Sequence, residues 1–243
     1  MALPIAHLTK GRWFEVIVDQ AKLEPQPDKH FKKNILYFFY GGVFYRPRSQ
    51  SYEEEIELPI AFVFDPSALA GFSHFYPFDT GAMLSDLFKG WRAKMPDFEE
   101  TFKVNGADYT VPKRMVYHLF GDNEQYLLGR PAADLKTKPD PLPTLFDFLR
   151  DNLTVNNTDQ RQYCIECQAV TPLAFDRSLV WIGYPEYYTS VFLRLLEKLK
   201  PYVPQTHRYK TSRIFNPREL AARLEDRARE AVIERYVSQP RIP

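Results

Sequence analysis

The sequence has almost no excess of charge of either sign. It carries 32 lysines and arginines against 31 aspartates and glutamates, which gives a formal net charge of +1. Proteins that are drawn to nucleic acid or to anionic membranes by their overall field carry a clear positive excess. Composition therefore gives no support for binding to either surface through net charge.

Long hydrophobic runs are also missing. No apolar stretch approaches the roughly 20 residues that are needed to span a bilayer, and the segment Met1 to His7 lacks the charged start and long apolar core of a signal peptide. We therefore expect a cytoplasmic protein that does not associate with membranes. In that compartment the sequons at Asn152 and Asn156 stay unglycosylated.

Cysteine is scarce, because Cys164 and Cys167 are the only two in the chain. A structural zinc site needs four ligands, and the chain has no second pair to complete one. Both cysteines fall in a stretch that reads as a strand, where residues three apart point to opposite faces. We predict two structural thiols and no metal site. Glycine-rich phosphate loops and the Gly-x-Ser-x-Gly turn of serine hydrolases are absent as well.

The residues that are present have the composition of a packed globular protein, with 44% hydrophobic and 15% aromatic residues. The length fits one large domain or two small ones. The only plausible linker is the loop 132–143, which holds charged side chains and three prolines. Because the strands on its two sides look complementary, we predict one domain over residues 1–243.

Hydrophobic periodicity divides the chain into strands and helices. Strands are predicted at 5–9, 35–40, 58–64, 116–119, 163–170, 179–184 and 207–210. Helices are predicted at 13–23, 85–94, 97–102, 144–151, 187–199 and about 217–237. The pair Gly41-Gly42 between two apolar runs indicates a hairpin, or one strand with a glycine bulge. Together these elements predict an α+β fold with a mixed, split central sheet flanked by helices, and a long C-terminal helix.

The predicted C-terminal helix has clear start signals and an apolar stripe. Asn216 is a natural N-cap and Pro217 suits the first helical position. The stripe consists of Leu220, Leu224, Ala228, Ala231 and Tyr236, and it lies opposite a charged face. In one interpretation the stripe packs on the domain, and in the other it forms a homodimer contact.

One set of residues stands out as a candidate for substrate binding and catalysis. His7-Leu8-Thr9 ends the first strand, the aromatic strand from Tyr37 to Tyr40 follows, and then comes Tyr45-Arg46-Pro47-Arg48-Ser49. Glu166 lies much later, on an otherwise apolar strand. In this order and approximate spacing the chain resembles the ADP-ribosyltransferase superfamily, in particular the DNA-modifying ADP-ribosyltransferase toxins. In that family a His-x-Thr-like element opens the domain, an arginine lies in a Pro-Arg-Ser-like segment, and a glutamate sits on a later strand.

The resemblance implies that NAD is the substrate and that ADP-ribose passes to a macromolecule, such as nucleic acid or protein, or to water. It implies catalytic roles for Glu166 and Arg48. A carboxylate stabilises the positive charge that develops on the ribose and takes a proton from the nucleophile, while a guanidinium pairs with the diphosphate or positions the acceptor. The residues expected to bind NAD are His7, Thr9, Tyr37, Tyr40 and Arg46, through hydrogen bonds, ring stacking and charge.

The sequence departs from the family pattern at two points. Arg48-Ser49 is followed by Gln50-Ser51 and an acidic run rather than by Pro-Met, and Glu166 precedes Gln168, which reverses the usual Gln-x-Glu order. A divergent member, a member with a different acceptor and a fold relative without activity are all consistent with these departures.

Each site residue also has a purely structural interpretation. His7 is then a hydrogen-bonded, half-buried histidine, Thr9 caps the following helix, and the tyrosines lie in the core or on a strand face. Arg46 and Arg48 would form a surface charge cluster with the glutamates at 53–55. Glu166 would face solvent, since an unpaired carboxylate is costly to bury.

Two other functions compete for the same residues. Asp159 with Glu166 and Gln168 faintly resembles the acidic pair of magnesium-dependent nucleases, although the usual lysine is absent. A non-catalytic binding or immunity module would instead use the aromatic residues as interface anchors. The segment Phe75 to Met83, with its Asp-Thr-Gly turn beside three aromatic residues, suits a loop that shapes a pocket, and the sequence assigns it no chemistry.

Overall fold

The strands and helices of a computed structural model are described here for residues 2–44, 57–69, 71–88, 90–151, 160–200, 205–211 and 217–237. The strands are β1 (Ile5–Lys10), β2 (Lys22–Leu23), β3 (Gln26–Asp28), β4 (Lys33–Tyr40), β5 (Pro59–Phe64), β6 (Phe72–Tyr76), β7 (Val104–Asn105), β8 (Ile165–Ala169), β9 (Leu173–Ala174), β10 (Leu179–Pro185) and β11 (Gln205–Tyr209). The helices are α1 (Phe14–Gln20), α2 (Thr80–Leu84), α3 (Trp91–Lys94), α4 (Phe98–Thr101), α5 (Thr110–Phe120), α6 (Asn123–Leu127), α7 (Leu142–Arg150), α8 (Thr189–Lys198) and α9 (Pro217–Val232).

A central sheet organises the molecule, with strand order β11-β10-β5-β1-β4-β8-β6-β7 and with β3 paired to β4. The pair β10–β11 is parallel, whereas the other pairs along this order are antiparallel. Helices pack around the sheet, and α9 follows as a long C-terminal helix that continues into a π-helical turn at Ile233–Val237. The predicted α+β fold with a mixed sheet is confirmed.

The sheet splits between strands β1 and β4. Strand β1 pairs with β5 along its whole length, from Ile5 opposite Phe64 to Lys10 opposite Pro59. With β4 it pairs only at Ile5 opposite Tyr40 and Ala6 opposite Phe39. Beyond Ala6 the two strands separate, and His7 is the first residue past the last pair.

The two faces of the sheet bury separate groups of side chains. One face carries Ile5, Phe38, Phe62 and Ile165 in the larger core. On the other face, β5 and β10 are covered by α9, and a Cβ added to Gly183 would come 2.3 Å from the Leu224 side chain. Only glycine fits there, because the helix lies directly on the strand.

The apolar stripe of α9 is taken up within the chain. Leu220, Leu224, Ala228 and Tyr236 are buried, and Ala231 packs against the same cluster. The interpretation in which the stripe packs on the domain therefore describes these residues. Among the described side chains of α9, the stripe is not left free for a homodimer contact.

Several local predictions were wrong for identifiable reasons. Residues 116–119 belong to helix α5, whose buried positions Val111, Met115, Val116, Leu119 and Phe120 follow helical spacing. Helix α1 ends at Gln20, earlier than predicted, because Ala21 adopts a left-handed conformation with φ of 50°. Strand β4 ends at Tyr40, and Val43 and Phe44 do not form the second strand of a hairpin.

None of the described helices combines the length and the apolar character that crossing a bilayer requires.

Tyr126 joins the ends of β4 and β8, two neighbouring strands on one side of the split. Its hydroxyl donates to the Tyr40 carbonyl at 2.6 Å and accepts from the Ile165 N–H at 3.0 Å. Replacing Tyr126 with phenylalanine leaves both buried backbone groups unpaired, so we expect the free energy of unfolding to fall by about 2–4 kcal/mol. Urea denaturation measures the loss. The matched change at Tyr117, which is 69% exposed, should cost less than about 0.5 kcal/mol, and equal effects at the two positions would contradict the assignment.

Candidate active site

The carboxylate of Glu166 is buried and held by three hydrogen-bond donors. The residue is 1% exposed. The backbone N–H of Thr80 donates to Oε2 at 2.9 Å, and the Thr80 hydroxyl donates to Oε1 at 2.8 Å. The Nε2 of Gln168, two residues along β8, also donates to Oε1, at 2.8 Å. Glu166 therefore does not face solvent, and its burial is compensated by donors rather than left unpaired.

Thr80 reaches Glu166 because Asp79 starts a helix at the end of strand β6. Asp79 is the N-cap of α2, and its side chain accepts from the Ala82 N–H at 2.8 Å. Tyr76, the last residue of β6, pairs with Glu166 in the sheet, so the chain turns back over Glu166 within four residues. We refer to Asp79, Thr80, Glu166 and Gln168 as the Glu166 cluster.

An arginine balances part of the negative charge in the cluster. The Arg161 guanidinium lies 3.7 Å from the Asp79 carboxylate, and the Asp79 N–H donates to the Arg161 carbonyl at 3.0 Å. Burial, followed by the charge of Asp79, raises the pKa of the Glu166 carboxyl above its usual range. The bonds from Gln168 and Thr80 act in the opposite direction, because they favour the ionised form.

Gln168 brings an unsatisfied acceptor to the cluster. It is completely buried, and while its Nε2 bonds to Glu166, its Oε1 has no hydrogen-bond partner among the described residues. A buried acceptor without a donor costs free energy unless a donor group is supplied from elsewhere. This atom is therefore suited to accept from an N–H or O–H of a bound molecule.

Tyr37 lies on the same face as Glu166 and next to Gln168, with which it pairs in the sheet. Its hydroxyl donates to the Asp28 carboxylate at 2.8 Å. The other oxygen of Asp28 accepts from the backbone N–H groups of His30 and Phe31, which fixes the turn between β3 and β4. The structure thus brings Tyr37, a predicted site residue, together with Glu166.

His7 occupies the split in the sheet. Its Nδ1 lies 2.9 Å from the Tyr37 carbonyl, and since a carbonyl only accepts, Nδ1 carries the proton. Its ring contacts Phe38, with the centroids 5.6 Å apart, and it pairs with Phe62 in the sheet. By strand register His7 therefore points to the face opposite Glu166, and strand β4 separates the two residues within the sheet.

Besides His7, two further predicted residues are not brought to the cluster. Tyr40 is fully buried on the core face, where its hydroxyl accepts from the Leu3 N–H at 2.8 Å. It is a core residue in this structure and offers no ring to a ligand. Thr9 lies on β1 and is half-buried. It does not cap the following helix, because Trp13 holds the N-cap position of α1.

The predicted arginines Arg46 and Arg48 lie outside the described residues, as do Tyr45 and Asp159. Among the described residues no group of three or more His, Cys, Asp and Glu side chains is arranged to hold a metal ion. Cys164 and Cys167 are both buried and are not bonded to each other.

Sequence reasoning missed the donor that holds Glu166. Thr80 is 86 residues away from Glu166 in the chain, and no short motif links the two. The available signal was the Asp-Thr-Gly turn beside aromatic residues, which stood out as unlike ordinary core but carried no assignment. The structure shows that this turn closes over the carboxylate.

The hydroxyl of Thr80 can be removed without changing the shape of the side chain. Replacing Thr80 with valine leaves the backbone donor in place and deletes one donor to Oε1. Because that donor favours the ionised carboxylate, we expect the pKa of Glu166 to rise further in the variant. A ¹³C-carboxyl NMR titration measures the shift, with Thr101→Val, an exposed position at the end of α4, as the control. A lower or unchanged pKa would show that the hydroxyl does not act on Glu166.

Burial of the His7 ring lowers its pKa to about 4, so acid should weaken the fold through this residue. The unfolded chain takes up a proton at the ordinary pKa of 6.5, whereas the folded chain resists it. Stability linked to His7 is therefore present above pH 6.5 and is lost as the pH falls from 6.5 towards 4.

The variant His7→Asn isolates this effect, because an amide can still donate to the Tyr37 carbonyl but does not titrate. We expect the free energy of unfolding to fall less between pH 7 and pH 4.5 in the variant than in the parent protein. Urea denaturation at both pH values measures the difference. His74 and His207, whose pKa values are also lowered by burial, titrate in both proteins, and parallel pH curves would rule out a role for His7.

Comparison with known proteins gives no close relative. No family model matches the chain, and no curated protein matches it. Solved structures that are similar include Thermus sp. 2.9 DarT in complex with NAD⁺, at 10% identity over 86% of this chain and 96% of that chain. They also include Thermus sp. 2.9 DarT in complex with ADP-ribosylated ssDNA, at 9% identity over 86% of this chain and 94% of that chain. Both have a TM-score of 0.43. Neither likeness assigns this chain to a family or gives it an activity.

Proposed function

We propose that this protein is an NAD-using enzyme of the ADP-ribosyltransferase type, formed by one domain over residues 1–243. The observation that carries the proposal is the buried Glu166 carboxylate, which three donors hold on strand β8. Glu166 is on the later strand where the sequence resemblance expects the catalytic glutamate. Tyr37 and His7 lie on the next two strands along the sheet.

The reaction breaks the bond between nicotinamide and the ribose. The bonding electron pair leaves with nicotinamide, and positive charge develops on the ribose. The carboxylate of Glu166, whose ionised form the bonds from Thr80 and Gln168 favour against burial, would stabilise that charge. The nucleophile, an acceptor macromolecule or water, forms the new bond to the ribose carbon and loses a proton, which Glu166 would take and then release to solvent.

The residues around Glu166 suit a ribose that carries a carboxamide ring. The hydroxyl of Thr80 bonds to the carboxylate as a ribose hydroxyl would, so a bound ribose would replace it. The free Oε1 of Gln168 would accept from a hydroxyl or an amide N–H of the substrate. In the neutral His7 the Nε2 atom is left as an acceptor, at the opening between β1 and β4.

The acceptor follows from the sequence resemblance to DNA-modifying toxins, and we propose single-stranded nucleic acid. Because net charge is close to zero, binding of the strand would depend on local basic groups. A toxin of this kind would slow the growth of cells that express it. The growth rate of such cells can be measured without knowing the acceptor.

The experiment is incubation of the full-length protein with NAD, with and without a single-stranded oligonucleotide, followed by separation of free nicotinamide. We expect nicotinamide release, and ADP-ribose on the oligonucleotide by mass spectrometry. Release without transfer would redirect the proposal to NAD hydrolysis. No release above the buffer rate in either condition would contradict it, and magnesium-dependent cutting of the oligonucleotide that survives His7→Ala would favour the nuclease instead.

A further inference from the structure

A cleft of about 540 Å³ lies beside helix α7, and it shares no residue with the Glu166 cluster. Its floor is aromatic: Trp91 on α3 is 7% exposed and Phe146 on α7 is 4% exposed. Cavities of this volume hold small organic ligands. What the cleft binds therefore depends on the polar groups that line it.

Three cations line the cleft, and none of them forms an ion pair among the described residues. They are Lys94, Lys136 and Arg150. Two of them rest on aromatic rings, with Lys94 Nζ 4.2 Å from the Trp91 ring centre and the Arg150 guanidinium 5.4 Å from that of Phe146. A cation held over a ring keeps its charge and its hydrogen-bond donors available for a ligand.

Two acidic groups, Asp147 and Asp151, also line the cleft, so three cations and two carboxylates leave its lining with a net charge of +1. Asp151 accepts from the Trp91 indole N–H at 2.6 Å, which fixes the ring. Asp147 is exposed. Thr144 contributes a hydroxyl from the first turn of α7, where the helix dipole favours negative charge. The lining as a whole favours an anion that also presents a flat apolar group.

We propose that this cleft binds a phosphate-bearing ligand of nucleotide size, with the phosphate at Lys136 and Arg150 and the planar group against the aromatic floor. The inference does not rest on the proposed NAD chemistry, because the two sites share no residue. A free nucleotide and one nucleotide of a single strand present the same phosphate and ring.

The test follows the Trp91 indole resonance by ¹H–¹⁵N NMR in the full-length protein. The chain has three tryptophans, and the variant Trp91→Phe assigns the signal. Inorganic pyrophosphate, AMP and a short single-stranded deoxyoligonucleotide are titrated separately. We expect AMP or the oligonucleotide to shift the Trp91 signal and leave those of Trp13 and Trp181 in place, with binding that weakens as salt rises.

A double substitution, Lys136→Gln with Arg150→Gln, should weaken binding about tenfold or more, since it removes two charged contacts to phosphate. The matched control is Lys138→Gln with Arg114→Gln, which changes the charge equally at positions that do not line the cleft. Binding of AMP would identify a free nucleotide as the ligand of the cleft. Binding of the oligonucleotide alone would identify a single-stranded nucleic acid as the ligand. No shift with any probe, or equal weakening by the two double variants, would overturn the proposal. Pyrophosphate binding as tight as AMP would overturn the nucleotide assignment.

Discussion

Replacing Glu166 with glutamine is expected to reduce nicotinamide release from NAD by about 10²–10³-fold or more, which is the range for loss of one fixed electrostatic partner of a transition state. Glutamine keeps the shape of the side chain and its one oxygen can accept from part of the donor set, but it carries no charge to stabilise the ribose. The stability of the fold should change by less than about 1 kcal/mol, because the substitution also removes a buried carboxylate whose ionised form burial disfavours. Activity and stability should therefore separate in this variant.

The matched control is Glu225→Gln on helix α9. Glu225 is the other buried glutamate among the described residues, at 5% exposed, and it bonds to Arg229 on the same helix. Turnover in this variant should stay within about twofold of the parent protein, since an effect of that size is only about 0.4 kcal/mol. Normal turnover in Glu166→Gln would rule out Glu166 as the catalytic carboxylate, and equal losses in both variants would point to a general effect of burying an amide.

Replacing Phe148 with alanine is expected to lower the free energy of unfolding by about 3–5 kcal/mol, the usual cost of truncating a fully buried phenylalanine. Phe148 is 0% exposed, and its ring lies 5.2 Å from the rings of Phe78 and Phe88 and 5.3 Å from that of Trp91. It is therefore the centre at which α7 meets the segments on either side of α2. Urea denaturation monitored by circular dichroism measures the loss.

The same substitution should disturb the Glu166 cluster indirectly. Phe78 directly precedes Asp79 and Thr80 in the chain, so loosening Phe78 reduces the order of the turn that closes over Glu166. Leu193→Ala on α8 is the control, because Leu193 is 56% exposed, and it should cost less than about 0.5 kcal/mol. A loss below about 1 kcal/mol in Phe148→Ala would mean that the aromatic cluster does not hold these helices together.

Much of the central sheet could be predicted from the sequence. Strands β5, β8 and β10 are apolar runs bounded by polar or turn residues, which is the pattern of strands buried on both faces, and all three are confirmed. Strand β6 was not predicted, because Ser73 and His74 interrupt its apolar pattern. Its pairing with β8, far away in the chain, decides its structure.

The site could be predicted only in part, for physical reasons that differ from residue to residue. Glu166 stood out because a carboxylate in an apolar strand needs compensation. Its donors, however, come from Thr80 and a neighbouring side chain, and such a contact leaves no local pattern. The partner of His7 is the backbone carbonyl of Tyr37, which no side-chain motif encodes. Tyr40 and Tyr37 are both aromatic residues of one strand, and only the sheet register separates the core face from the site face.

The most direct test of the account is a crystal structure of the protein with a non-hydrolysable NAD analogue. We predict that the ribose next to the nicotinamide lies against β8, with a hydroxyl about 3 Å from the Glu166 carboxylate in place of the Thr80 hydroxyl. The Gln168 Oε1 atom should accept a hydrogen bond from the analogue. An analogue bound elsewhere, with Thr80 still bonded to Glu166 and Gln168 Oε1 still without a partner, would contradict the assignment of Glu166 as the catalytic residue.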